Sequence, residues 1–308
     1  MSPRSDEPVV ELSGVVKRYA DVVALDGIDL DVHRGEIVAF LGPNGAGKTT
    51  SISLMLGLRR PTEGSVRVFG MSPLDRRSRT MRGAMLQDVG LLPLLTVREI
   101  VSLFRSYYPS PLPTATILGL VGLESKASAR VGTLSGGQKQ RLAYGLAICG
   151  DPPALFLDEP TAGMDVSGRR AFLGEIGELG GQGRTIFLTT HFLDEADAVA
   201  RRIVVIDQGR IVADGTPAQI KSRAVGRRVS FHAEPALTEA DLAGLPVTAV
   251  SISDHSVRFL TNEPEAVLAE LFGRGVALSD LEVTGADLEE AFLLLTGPRE
   301  TASGGAAT

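Results

Sequence analysis

Residues 42–50 carry side chains and backbone spacing suited to binding phosphate, in the pattern G-x-x-x-x-G-K-[ST]. Backbone N–H groups of such a glycine-rich turn form an anion nest, and a following helix adds the positive end of its dipole. Lys48 brings a full charge to the β- and γ-phosphates, and the Thr49 hydroxyl is placed to hold Mg²⁺. We predict nucleotide binding by the whole segment: Gly42, Pro43, Asn44, Gly45, Ala46, Gly47, Lys48, Thr49 and Thr50.

Two acidic side chains and a histidine directly follow predicted buried strands. Asp158 ends the apolar run Leu155–Leu157 and is suited to bind Mg²⁺, directly or through water. Glu159 lies one residue further and could polarise an attacking water molecule. His191 follows the strand 185–190, on the sheet edge where ligands bind, and is predicted to sense the γ-phosphate. A lone Asp-Glu pair is often only solvated and a lone histidine is more often structural, but the phosphate loop favours the functional interpretation.

The segment Leu134–Gln138, with the sequence Leu-Ser-Gly-Gly-Gln, predicts a second anion site. Free N–H groups and a hydroxyl at a helix N-terminus attract a negative group. A glycine-rich helix cap with no ligand is the alternative. The residues involved are Ser135, Gly136, Gly137 and Gln138.

Composition limits the classes of protein to which the chain can belong. The sequence has 308 residues, 44% of them hydrophobic, and a net charge of −6, which disfavours a general nucleic-acid binder. Its single cysteine, Cys149, excludes an internal disulfide and a multi-cysteine zinc site. No apolar run approaches the ~18 residues of a membrane span, and the polar N-terminus lacks the apolar core of a signal peptide. We expect a soluble, intracellular chain whose membrane role comes through a partner.

The strands and helices predicted around these residues indicate an α/β fold with a phosphate-loop core. The buried strand Ile37–Leu41 precedes the loop, and a helix with Ile52 on its buried face follows it. An antiparallel subdomain with one solvent-exposed face is predicted to contain short strands at 9–12 and 15–19, the alternating strand 28–32 and the strand 64–70. A capping box at Thr96 and Glu99 begins a helical insert.

The predicted domain organisation has four parts. Residues 1–8 are expected to be disordered, and residues 9–222 are expected to form the nucleotide-binding domain, with the helical subdomain at about 88–150. A small α+β accessory module follows at 223–297. The Gly/Ala/Ser-rich tail, 298–308, is expected to be disordered.

In their order and spacing these motifs resemble those of ATP-binding cassette (ABC) ATPases over residues ~9–220, and the Leu-Ser-Gly-Gly-Gln signature is nearly exclusive to that family. The resemblance implies a homodimer joined head to tail, with two competent sites, in which Ser135 and Gly137 grip the γ-phosphate of ATP held by the other chain. It also implies an adenine-stacking role for Tyr19 and cross-dimer communication by Asp165. The motifs are Gly42–Thr50, Gln87, Leu134–Gln138, Leu157–Pro160, Ala162–Asp165 and His191.

The family also implies how hydrolysis proceeds. Gln87 resembles the flexible-loop glutamine that touches Mg²⁺ and senses the transmembrane partner. The expected metal ligands are therefore Thr49, Gln87 and Asp158. The expected catalytic residues are Lys48, Gln87, Glu159 and His191.

The chain most resembles the separate ATPase subunits of multidrug and antibiotic-resistance exporters, which work with ABC-2 permeases. This implies a peripheral protein on the cytoplasmic face of the membrane that powers export of a drug-like, antibiotic or lipid substrate. The apolar segment 89–95 is interpreted either as core of the helical insert or as a groove for a helix of the membrane subunit. A soluble ABC protein and an importer ATPase are the alternative functions.

Overall fold

The computed structural model describes residues 7–87, 90–222, 227–285 and 288–296. The chain divides into two compact units, the first ending at Thr216 and the second beginning at Pro217. The predicted terminal segments, residues 1–8 and 298–308, lie outside the described residues except for residues 7 and 8, as does the predicted start of the insert at residue 88.

The elements follow the predicted alternation of strands and helices. In chain order the first unit contains β1 (Val10–Tyr19), β2 (Val22–Val32), β3 (Ile37–Leu41), α1 (Lys48–Met55), β4 (Glu63–Val68), α2 (Arg76–Thr80), β5 (Arg82–Met85), α3 (Val97–Arg105), α4 (Thr114–Leu120), α5 (Gly136–Ile148), β6 (Ala154–Asp158), α6 (Val166–Gly181), β7 (Thr185–Thr190), α7 (Leu193–Val199), β8 (Arg202–Asp207) and β9 (Arg210–Gly215). The second contains α8 (Pro217–Lys221), β10 (Arg227–Glu234), β11 (Thr248–Ser253), β12 (Ser256–Thr261), α9 (Pro264–Gly273), β13 (Ala277–Gly285) and α10 (Leu288–Thr296).

The central sheet has the strand order β5-β6-β7-β3-β8-β9 among the described residues. Its first five strands are parallel, and β9 pairs antiparallel with β8. Every residue of β3, β6 and β7 is buried, as their continuous apolar sequences predict. Phe187 packs against Phe40 and Phe156, with ring centroids 5.3 and 6.3 Å apart. The carboxyl ends of β3, β6 and β7 therefore lie side by side on a rigid core, which places the segments that follow them together.

The antiparallel subdomain has the strand order β2-β1-β4. In β2, Ile28, Leu30 and Val32 are buried while the aspartates between them are exposed, as the alternation predicted. The prediction of two short strands at 9–12 and 15–19 was wrong, because one strand, β1, spans both. At Gly14 the backbone has φ +54°, and the pairing register of β1 with β2 shifts between Leu12 and Val15. A bulge therefore interrupts the strand pattern without ending the strand.

The insert between β5 and β6 is helical, as predicted, and no strand lies within its described residues. Thr96 and Glu99 form the expected reciprocal capping box at the start of α3. The strand before the insert, β5, was not predicted. It begins with Arg82, whose buried guanidinium donates to the carbonyls of Met55, Leu56 and Pro73. Because the sequence of β5, Arg-Gly-Ala-Met, begins with a charged residue, it lacks the continuous apolar pattern that predicts a buried strand.

The second unit is an α+β module with the sheet order β11-β12-β10-β13. Its own core contains Val229, Phe231, Phe259, Val267 and Leu271. The boundary predicted between residues 222 and 223 falls after α8, whereas the structural division precedes that helix. The reason is that α8 contacts α10, at the other end of the same unit. No helix of the described residues is long and apolar enough to cross a membrane.

Candidate functional site: a phosphate cavity and a signature cavity

The phosphate loop joins the carboxyl end of β3 to the first turn of α1 and needs glycine at two positions. A Cβ at Gly42 would lie 2.4 Å from the carbonyl oxygen of Ile206. Gly47 has φ +114°, and its Cβ would lie 2.6 Å from a methyl carbon of Leu25. The loop is therefore wrapped tightly against the sheet, with the N-terminus of α1 facing the same space.

Lys48 is the buried cation of this loop, with 5% of its surface exposed. Its Nζ donates to the carbonyl oxygens of Gly42 at 2.7 Å and Pro43 at 3.2 Å. Burial lowers the pKa of Lys48, while the nearby carboxylates of Glu159 and Asp158 raise it. The ammonium group is thus held beside the loop by carbonyl dipoles that a phosphate oxygen can replace.

Asp158 and Thr49 form a hard-oxygen site beneath the loop. The Thr49 hydroxyl lies 3.4 Å from Asp158 Oδ1, which also accepts a hydrogen bond from the hydroxyl of Thr189. Asp158 Oδ2 is buried and has no hydrogen-bond partner among the described residues. Burial raises the pKa of Asp158, and the hydroxyl groups of Thr189 and Thr49 oppose the shift. An unpaired carboxylate oxygen beside a hydroxyl fits the ligand preference of Mg²⁺.

Glu159 projects from the tip of β6 in an uncommon backbone conformation, with φ +47°. Its amide N–H lies 3.1 Å from both the backbone oxygen and the hydroxyl oxygen of Thr189, which fixes the turn. Its carboxylate accepts from Gln87 Nε2 at 3.2 Å and lies 3.3 Å from His191 Nδ1 and 3.9 Å from Lys48 Nζ. Three predicted site residues therefore converge on this carboxylate, which suits a group that orients and deprotonates water.

These side chains surround a cavity of about 580 Å³, here called the phosphate cavity. Its lining consists of Asn44, Gly45, Gly47, Lys48, Thr49, Thr50, Gln87, Glu159 and His191. Tyr19 is not part of this lining. It lies at the end of β1, where Lys17 Nζ is 4.9 Å from its ring centroid. Its predicted contact with adenine stays a prediction, as does the predicted metal contact of Gln87.

The signature segment lies at a separate cavity of about 370 Å³, here called the signature cavity. Ser135 caps α5, with its Oγ accepting from the Gln138 N–H while Gln138 Oε1 accepts from the Ser135 N–H. The N–H groups of Gly136 and Gly137, in the first turn, have no intrahelical acceptor. The lining is Ser135, Gly137, Gln138, Arg141, Met164, Asp165, Ser167, Gly168 and Ala171.

Asp165 lines the signature cavity and is the N-terminal cap of α6. Its Oδ1 accepts from the Gly168 N–H and so begins α6 beside the signature. Among the described residues, the two cavities have no lining residue in common. The structure thus brings the predicted site residues together in two groups, one around the phosphate loop and one around the signature.

Known proteins similar to this chain identify its family. A sequence model described as ABC transporter matches residues 25–162. Nod factor export ATP-binding protein I of Burkholderia pseudomallei is 37% identical over 298 residues, covering 94% of this chain and 97% of that protein. The chain belongs to the ABC transporter family. The Nod factor export ATP-binding protein I of Cupriavidus pinatubonensis is 36% identical to this chain, and the match covers 94% of this chain and 91% of that protein.

Solved structures of the family superpose on a large part of the chain. An ATP-binding subunit of an ABC transporter has a TM-score of 0.64 at 29% identity and covers 70% of this chain and 92% of its own. The dimeric cassette MJ0796 has a TM-score of 0.62 at 28% identity and covers 67% and 98%. A further structure of that cassette is a post-hydrolysis state bound to ADP and Pi. The chain is accordingly an ABC ATPase that binds ATP with Mg²⁺.

Several contacts of this ABC ATPase were not predicted from its sequence. Thr189 and Thr190 are buried at the end of β7 and bind the carboxylates of Asp158 and Glu195. Two consecutive hydroxyls ending an apolar strand were a signal for such contacts. Nothing in the sequence indicated that Glu195, on the unpredicted helix α7, is buried.

Proposed function

We propose that this ABC ATPase powers export through a separate membrane permease, at the cytoplasmic face of the membrane. The observation that carries the proposal is likeness over 94% of the chain, second unit included, to proteins named for export. The two cassette folds cover only 70% and 67% of the chain. An antibiotic, drug-like or lipid substrate and an ABC-2 permease are part of the proposal, since the sequence resembles resistance exporters.

We further propose that two copies join head to tail, so that each ATP lies between the phosphate cavity of one copy and the signature cavity of the other. The separation of the two cavities supports this arrangement. Lys48 would transfer its hydrogen bonds from loop carbonyls to the β- and γ-phosphates. The exposed N–H groups at the start of α5 would meet the γ-phosphate from the opposite side.

In this proposal Glu159 is the general base. Its carboxylate lies at the edge of the cavity, 13% exposed, and is oriented by Gln87 and His191. It would take a proton from water as the water attacks the γ-phosphate, and Lys48 would stabilise the charge on the phosphate oxygens. Thr49 and Asp158 would hold Mg²⁺, which supplies positive charge against the triphosphate.

The exposed apolar segment of the helical insert is the proposed permease contact. Leu92 is 48% exposed and Leu94 is 78% exposed. Because these leucines lie on the surface, the interpretation of the segment as buried core does not apply to them. A cytoplasmic helix of the permease would cover them, which would remove apolar surface from water.

Co-purification tests this function. The tagged full-length chain, expressed with the genes adjacent to its own, should bring down an integral membrane protein from detergent-solubilised membranes. Leu94→Asp should reduce the yield of that protein severalfold without changing the ATPase activity of the isolated chain. Leu58→Asp, at a leucine that is 58% exposed outside the segment, is the matched control. Recovery of the chain from the cytosol with no membrane protein would remove the transporter proposal and favour a soluble ABC protein.

A further inference from the structure

Glu195, in α7, is a buried carboxylate outside both cavities, with only 1% of its surface exposed. Its Oε1 accepts a hydrogen bond from the hydroxyl of Thr161, and its Oε2 accepts one from the hydroxyl of Thr190 at 2.7 Å. Arg169 Nε lies 3.5 Å from Oε1. A carboxylate removed from water is stable only with such partners, so its position and theirs depend on one another.

The three partners belong to three different segments of the site. Thr161 lies in the turn that follows Glu159, and Thr190 is the last residue of β7, directly before His191. Arg169 lies in the first turn of α6, where its N–H donates to the carbonyl of Asp165 at 2.9 Å. One carboxylate therefore joins the phosphate cavity to the signature cavity.

The connection to His191 runs through two contacts, both of which involve Phe192. The hydroxyl oxygen of Thr190, which donates to Glu195, also accepts from the Phe192 N–H at 2.9 Å and so closes the turn around His191. The Phe192 ring lies 4.1 Å from the His191 ring, measured between centroids. The guanidinium of Arg169 packs on the Phe192 ring, with its Cζ 4.3 Å from the ring centroid. Displacement of Glu195 would therefore reach His191 along both routes.

The connection to the signature runs through residues 161–165. The carbonyl of Thr161 accepts from the Met164 N–H at 3.0 Å, which shapes the turn leading to Asp165. Within the same turn, the carbonyl of Ala162 accepts from Gln140 Nε2 at 3.0 Å. Gln140 belongs to α5, the helix that Ser135 caps. The turn held by Glu195 is thus bonded directly to the signature helix.

We propose that Glu195 is a positioning residue that links residues 161–165 to His191. A second copy meeting the signature cavity would act on Asp165 and the turn before it. Through Thr161, Glu195 and Thr190 that contact fixes the position of His191, and with it the orientation of the Glu159 carboxylate. Hydrolysis would then depend on an occupied dimer interface. This inference rests on the proposed roles of Glu159 and His191.

Isosteric removal of the two hydroxyls tests the link. Thr161→Val and Thr190→Val in the full-length chain keep side-chain volume and lose one hydrogen bond to Glu195 each. Each should lower kcat for ATP roughly tenfold or more, because small displacements of catalytic groups are costly, and leave KM and ATP affinity within about twofold. Thr161→Ser and Thr190→Ser, which keep the hydroxyl, should restore kcat. Thr116→Val, at an exposed threonine of α4, is the control.

The double variant distinguishes a link from two separate defects. If Glu195 couples the two segments, Thr161→Val with Thr190→Val should be no slower than the slower single variant. The proposal is overturned if kcat is unchanged in the valine variants, if serine fails to rescue, or if the two losses multiply. Glu159→Gln, measured in parallel, separates the inferences. If it retains hydrolysis, the proposed role of Glu159 fails; if it abolishes hydrolysis and the threonine variants do not respond, only the link fails.

Discussion

The phosphate cavity and the signature cavity are built in different ways. Several contacts at the first join residues far apart in the chain: Gln87 and Glu159 are 72 positions apart, and Thr49 and Asp158 are 109. The central bonds of the second are local, since Ser135 and Gln138 are three residues apart and so are Asp165 and Gly168. The signature cavity depends on helix caps, whereas the phosphate cavity depends on the alignment of parallel strands.

The two cavities also differ in the charged groups that they contain. Burial disfavours the charge of Lys48, which lines the phosphate cavity, and of Asp158, which lies next to Thr49 of that lining. The signature segment contains no ionised side chain from Ser135 to Gln138 and offers backbone N–H groups. The charged residues of the signature cavity lining, Arg141 and Asp165, lie outside that segment. We therefore expect the charged groups that act on water and Mg²⁺ to lie at the phosphate cavity, and the signature segment to contribute binding. Substitutions at each cavity can test this division of roles.

Glu159→Gln should nearly abolish turnover while ATP binding persists. The amide keeps the shape of the side chain and its contacts with the loop but cannot accept a proton, and loss of a general base costs about 10²- to 10⁴-fold. ATPase assays and nucleotide-binding titrations on the same preparation would measure both quantities. Unchanged hydrolysis would remove Glu159 from its proposed role.

Mixing two inactive variants should restore activity if the cavities act in trans. Glu159→Gln has an intact signature cavity, and Gly137→Asp, which puts an acid at the start of α5, has an intact phosphate cavity. A mixed head-to-tail dimer contains one site assembled from the two intact cavities. Equimolar mixing should therefore give roughly a quarter of the wild-type ATPase rate. If a single chain holds the whole site, the mixture stays as inactive as its components.

Asp158→Asn should weaken function and strengthen the fold. The pKa of Asp158 is raised in the folded chain, so at neutral pH the charged form disfavours folding. The variant should show a larger free energy of unfolding at pH 7 without nucleotide, and the difference should narrow as the pH falls towards 3.8, the ordinary pKa of the group.

The same variant should bind ATP at least about tenfold more weakly in Mg²⁺ than wild type, with little further loss when EDTA removes the metal. Denaturant unfolding at several pH values and binding with and without EDTA measure the two effects. If Asp158→Asn gains as much ATP affinity from Mg²⁺ as the wild type does, Asp158 is not a ligand of the metal.

Ser135→Ala should lose a helix cap worth about 1 kcal/mol and, in addition, ATPase activity. Thr96→Ala removes the equivalent capping box of α3, which lies outside both cavities, and so provides a matched control. The two variants should lose similar stability in denaturant unfolding, and only Ser135→Ala should lower the ATPase rate. Equal activity in both would mean that Ser135 serves only as a cap.

The folded structure agrees with sequence reasoning most closely where interactions are local. The capping box at Thr96 and the cap at Ser135 each depend on side chains three residues apart, which a sequence displays directly. The buried strands β3 and β6 were identified from continuous apolar residues for a similar reason. The predicted boundary after residue 222 differs from the structural division before Pro217, because α8 contacts α10 at the other end of the second unit.

The order of amino acids is enough to show which groups could perform chemistry: a phosphate loop with Lys48 and Thr49, two carboxylates at a strand end, a histidine and a signature. Their types and local spacing follow from bonding rules that act over a few residues. The contacts of Gln87 and His191 with the Glu159 carboxylate, and of buried Glu195 with Thr161 and Thr190, exist only in the folded chain. Those contacts depend on strand order and register, which bring together residues far apart in the chain and which local sequence patterns do not reveal.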